Sequence, residues 1–149
     1  MRGSKQVLII DDSVEHVDDL RETIRACGGE PVVAINAAEG RRHLAAIADG
    51  LETYALAIID VMMALTSLEE VHKLEQAVNE DSKRIGVTLC REAREHYHIS
   101  PQTLDIVCFS IRDDADIVDE LEALGVRHIS KVTRRGWSEL HEYVKNALS

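Results

Sequence analysis

Apolar and polar positions alternate along this chain on two different periods. Short aliphatic runs stand at residues 7–10, 31–35, 55–59, 104–109 and 126–129. Their apolar character is nearly unbroken, as expected of strands covered on both faces. Longer stretches with helical spacing separate them. Val14, Val17, Leu20 and Ile24 share one face of a helix over 14–26, which Gly28-Gly29 stops. Asn36 is placed to cap a helix through about residue 48. Residues 114–124 form another helix, closed by Gly125, and 138–148 form the last. Pro31 places the second run at a sheet edge or at a strand start. Strand and helix alternating in this way predict an α/β domain, a parallel sheet with helices on both faces.

One stretch departs from plain alternation. Between Asp60 and Leu104 two helical patterns occur where one is expected. The first opens on Ser67-Leu68-Glu69-Glu70, which has the form of a capping box, and continues in the apolar stripe Leu68, Val71, Leu74, Val78. The second spans 87–96, with Leu89, Ala93 and Tyr97 on one face. An extra helix therefore precedes the third helix, within an insertion at 64–86. A stretch of this length reads either as a solvated helical excursion or as a lid or docking helix.

Length and composition narrow the classes. The chain has 149 residues, enough for one domain with a full core, read as a single domain 1–149 with its core at 5–149. It is 45% apolar but only 3% aromatic, so the core is aliphatic. The run at 55–59 is far short of the ~20 residues of a membrane span, so no membrane role is expected. A formal net charge of -10 argues against nucleic-acid binding, which draws on clustered Lys and Arg. Cys27, Cys90 and Cys108 are widely separated, which suits a reducing cytoplasm better than a disulfide framework.

The candidate chemistry sits where the apolar runs end. In an open parallel sheet, ligands gather outside the carboxyl ends of the strands. There the first strand offers Asp11 and Asp12, the third Asp60, the fourth Ser110 and the fifth Lys131. Each alone reads as a helix cap, a loop residue or a solvated charge; together they make one site. Three carboxylates in one place repel one another unless a cation joins them. Oxygen ligands suit Mg²⁺, which commonly shares its shell with phosphate. A carboxylate is also a competent nucleophile toward phosphorus, and an ammonium is suited to a phosphoryl oxygen. His16, one helical turn beyond Asp12, reads as a surface histidine rather than a phosphorelay residue.

The segments Val7-Leu8-Ile9-Ile10-Asp11-Asp12-Ser13, Ile58-Ile59-Asp60-Val61-Met62-Met63, Phe109-Ser110 and Ile129-Ser130-Lys131 together resemble the receiver domain of two-component response regulators. The resemblance implies a flavodoxin-like, doubly wound sheet of five parallel strands in the order 2-1-3-4-5. It implies Asp60 as phosphoacceptor. Asp11, Asp12, Asp60 and the backbone carbonyl of Met62 would hold Mg²⁺. Lys131 would contact the phosphoryl group, and Ser110 and His128 would be the switch residues. It further implies a histidine kinase or phosphotransfer protein as donor, a downstream protein as target, and a surface that could form a homodimer. Such a protein is a cytoplasmic phosphoacceptor that catalyses its own modification, not a turnover enzyme. With no effector domain after the last helix, the chain reads as a stand-alone or excised receiver.

Several positions differ from the family pattern. Ile111 follows the switch hydroxyl where a small residue is usual, Val132 follows Lys131 where proline is usual, and Ala64 also replaces a proline. Met62 and Arg112 occupy the positions that tune phosphate loss, and neither side chain positions a water well, so slow loss is expected. Two other readings stay open on the sequence. One is a pseudo-receiver, an interaction module independent of phosphorylation. The other is an aspartate-nucleophile phosphatase, disfavoured because Asp60-Val61-Met62 lacks the second aspartate of that motif.

Overall fold

The computed structural model describes residues 5–61, 84–111 and 114–149. Five parallel strands make one sheet: β1 (Gln6–Ile10), β2 (Glu30–Ala34), β3 (Leu56–Ile59), β4 (Ile106–Ser110) and β5 (Arg127–Ser130), in the order β2-β1-β3-β4-β5. This is the flavodoxin-like arrangement that the sequence predicts. The helices between them are α1 (Val14–Ala26), α2 (Ala37–Ala48), α3 (Ile85–Arg91), α4 (Ala115–Ala123) and α5 (Arg134–Leu148). Alternate residues of each central strand enter two separate cores. Leu8, Ile10, Ala57, Ile59, Ile106 and Cys108 pack beneath α2, α3 and α4. Val7, Ile9, Leu56, Ile58, Val107 and Phe109 pack beneath α1 and α5. Burial on both faces explains why these strands read as unbroken apolar runs.

The caps that start the helices also shape the sheet edge. The Ser13 side chain accepts the His16 amide at the start of α1, Asn36 accepts from Glu39 in α2, and Thr133 accepts from Gly136 in α5. The last helix begins at Arg134, earlier than the expected residue 138. Its first turn is polar and invisible to an apolar-spacing argument, but Thr133 caps it. The expected helix at 87–96 starts at Ile85 and relaxes into a π-helical turn over Glu92–His96. The Arg94 guanidinium explains the stop: it donates to the carbonyls of Ile99, Leu104 and Leu124, which lie beyond the helix. The expected helix and capping box at 67–78 lie outside the described residues, as does the expected insertion apart from Arg84, Ile85 and Gly86.

Two glycines bring helix starts into direct contact with the chain ends that carry the site. A Cβ on Gly86 would overlap the Asp60 carbonyl oxygen and crowd Val61 Cα; the Gly86 amide donates to the Val61 carbonyl at 2.8 Å. A Cβ on Gly136 would overlap the carbonyl oxygen of Ser130. The opposite, amino-terminal edge of the sheet is tied by polar groups. Besides Arg94, Lys5 Nζ donates to the Leu148 carbonyl at 2.7 Å, and the Tyr143 hydroxyl donates to Asp105 at 2.8 Å.

Gly86→Ala and Gly136→Ala are each expected to destabilise the protein by ~1–3 kcal/mol, the ordinary cost of forcing atoms into a packed seam. A lowered urea midpoint with an unchanged slope checks this; an unchanged midpoint contradicts it.

Candidate functional site

Four strand ends converge on one edge. β1 delivers Asp11, whose backbone amide still pairs with the Ala34 carbonyl of β2 at 3.1 Å. β3 delivers Asp60, whose amide pairs with the Ile10 carbonyl of β1 at 3.0 Å. β4 ends in Ser110, which is fully buried. β5 leads to Lys131, whose amide pairs with the Ser110 carbonyl at 2.9 Å. The backbone of each candidate is thus held by the neighbouring strand, and the ladder fixes their mutual positions.

The side chains meet around one ammonium. Lys131 Nζ donates to Asp60 Oδ2 at 3.1 Å and to Asp11 Oδ2 at 3.2 Å. The Lys131 side chain is only 3% exposed and that of Asp11 only 2%. The second Asp11 oxygen accepts the Ser13 amide at 2.9 Å, so the residue that caps α1 also orients the carboxylate. The ammonium further lies 5.5 Å from the centre of the Phe109 ring, which meets Trp137 edge-on.

His16 is the participant that sequence reasoning did not place here. It is half-buried, and its Nδ1 lies 2.9 Å from Lys131 Nζ and 3.9 Å from Asp11 Oδ2. Its spacing from Asp12 was the available signal. One turn along α1 brings position 16 back over the end of β1. Asp12 stands beside Asp11 but is exposed; the described residues whose possible ligand atoms converge are Asp11, His16 and Asp60. His128 is half-buried on β5, opposite Cys108 on β4. Ile111 and Val132 are both more than half exposed, and the peptide bond before Val132 is trans. Met62, Ala64 and Arg112 lie outside the described residues.

The charges of this edge are unbalanced. Among the described contacts, two buried carboxylates face one ammonium. Burial pushes the Asp11 carboxyl above the ordinary aspartate range, and the Asp60 charge adds to the effect; Lys131 and the Ser13 amide pull it down without prevailing. Two buried carboxylates at one edge are a donor set that a small divalent cation fits.

The same imbalance has a stability consequence. A carboxyl raised in the folded state favours folding while protonated, and that contribution is lost as pH rises through its folded value. Asp11→Asn is accordingly expected to raise the melting temperature by a few degrees in metal-free buffer at pH 7.5, with the gain shrinking toward pH 4. Thermal denaturation at the two pH values checks this; a lower melting temperature at pH 7.5 contradicts it.

No family model matches the chain, and no curated protein matches it. Solved structures do. The BeF3-activated DrrB receiver domain aligns with a TM-score of 0.64 at 16% identity, covering 99% of this chain and 98% of that one. A two-component response regulator from Clostridium difficile aligns at 0.67 and 17% identity, covering 96% and 94%. The response regulator protein TrrA from Thermotoga maritima, solved in complex with Mg(2+)-BeF, aligns at 0.63 and 20% identity, covering 99% and 100%. Among the described residues no helix is long and apolar enough to cross a membrane. Over nearly its whole length the chain has the fold of response-regulator receiver domains.

Proposed function

We propose that this protein is a phosphoaccepting receiver in which a phosphoryl group passes from a phosphohistidine donor to Asp60. The observation that carries the reading is the buried Lys131 ammonium, held within 3.2 Å of both Asp11 and Asp60 at the carboxyl edge of the sheet. A salt bridge added only for stability gains little from such burial, because desolvation offsets most of the attraction. Buried unlike charges at strand ends fit a site that handles a charged group.

The residues divide the work as follows. An oxygen of Asp60 attacks phosphorus, the P–N bond of the donor breaks, and the leaving nitrogen takes up a proton. Asp11 and Asp12, with Asp60 and the Met62 carbonyl, would hold Mg²⁺, which supplies positive charge to the phosphoryl oxygens. Lys131 exchanges its contact with the Asp60 carboxylate for one with a phosphoryl oxygen. Ser110, at the end of β4, offers a hydroxyl to another. The backbone bond between Lys131 and Ser110 makes the two respond together. A shift of Ser110 would then reach His128 through the β4–β5 register and alter the surface of α4, β5 and α5. That surface is the proposed contact for a downstream protein or a second copy. On this reading the donor is a histidine kinase or phosphotransfer protein, and the protein acts in the cytoplasm.

Intact mass after incubation with phosphoramidate tests the reading. A gain of one phosphoryl group is expected in the presence of Mg²⁺, with none for Asp60→Asn and none without metal. No gain in folded protein would overturn it and favour a phosphorylation-independent module. Continuous turnover of a phosphomonoester would instead indicate a phosphatase. Once formed, the phosphorylated protein is expected to decay slowly, because neither Met62 nor Arg112 suits the positioning of a water. A time course after donor removal checks this; a half-life of seconds contradicts it.

A further inference from the structure

The imidazole at this edge points to a metal preference that carboxylates alone do not set. A lysine ammonium has donors and no acceptor, so in its 2.9 Å contact with Lys131 Nζ the His16 Nδ1 must be the acceptor. That assigns the ring proton to Nε2 and aims the Nδ1 lone pair into the cluster. Two carboxylate oxygens and one imidazole nitrogen, from Asp11, Asp60 and His16, then lie within 4.8 Å of one another. Lys131 Nζ stands among them, at 3.2, 3.1 and 2.9 Å respectively. The three acceptors already converge on a cation.

Mg²⁺ is hard, takes oxygen ligands and keeps much of its water. A neutral imidazole adds little for it but favours borderline ions such as Co²⁺ and Zn²⁺. We propose that His16 Nδ1 is a metal ligand and that, with Asp11 and Asp60, it makes this edge a site for a borderline divalent ion in preference to Mg²⁺. The proposal rests on the cation position between Asp11 and Asp60 in the functional reading above. The metal competes with the Lys131 ammonium for the same acceptors. His16 sits on the half-exposed side of α1, outside either core, so its replacement leaves the fold intact.

Calorimetric titration of metal-free protein with Co²⁺ and with Mg²⁺ tests this in the wild type, His16→Ala and His16→Gln. Both variants are expected to lose roughly tenfold or more of the Co²⁺ affinity while Mg²⁺ affinity is unchanged. In Mn²⁺-loaded wild type, pulsed electron paramagnetic resonance is expected to show coupling to one nitrogen, absent from His16→Ala. Equal Co²⁺ affinity with and without His16, a parallel loss for both ions, or no nitrogen coupling in the wild type would overturn the proposal. The two readings fail separately. Asp60 phosphorylated without nitrogen coupling removes this inference alone, and nitrogen coupling with no phosphorylation removes the phosphoacceptor alone.

Discussion

The structure depends at its functional edge on one buried ammonium. Lys131 carries its charge on a side chain only 3% exposed, and the carboxylates of Asp11 and Asp60, with the His16 imidazole, make that tolerable. The dependence is mutual, because both carboxylates place an oxygen within 3.2 Å of that ammonium. Removing the ammonium would leave two buried carboxylates facing each other without it, which costs far more than the intact cluster contributes. Four strand ends must therefore arrive in fixed relation, and the parallel ladder supplies that. The amides of Asp11, Asp60 and Lys131 each bond to the preceding residue's neighbour strand, so the charges inherit the rigidity of the sheet.

Packing behind the edge serves the same end. Gly86 and Gly136 let two helices begin against the backbone of Asp60 and of Ser130. The absence of a side chain at each allows a backbone-to-backbone seam that a methyl group would wedge open. Phe109 lines the site from the other core, its ring facing the ammonium and its edge braced by Trp137. In a chain so poor in aromatic residues, that ring pair stands directly beside the chemistry.

Much of this was legible in the residues. Unbroken apolar runs identified the strands because burial on both faces leaves no polar alternation to confuse them. The identity of the edge followed from where those runs end, at Asp11, Asp60, Ser110 and Lys131, and their order from the family resemblance that the same segments carry. Boundaries were less legible where polar contacts set them. The polar first turn of α5 begins under the Thr133 cap, and Arg94 ends the third helix through carbonyls distant in sequence. His16 was visible as a residue one turn from Asp12, yet its lysine partner lies 115 positions away. Contacts of that span have no signature in periodicity. They emerge only when the sheet brings β1 and β5 to the same edge.

The two ends of the sheet are held by different means. Lys5, Asp105, Tyr143 and Arg94 fasten the amino-terminal end to the helix termini and loops below it. The carboxyl-terminal end carries the charged cluster, and from it the chain leaves at Val61 and returns at Arg84. The fastenings at the far end use none of the residues of that cluster, so the two ends of the sheet are secured independently. The fold separates the end that is tied down from the end that carries the charge.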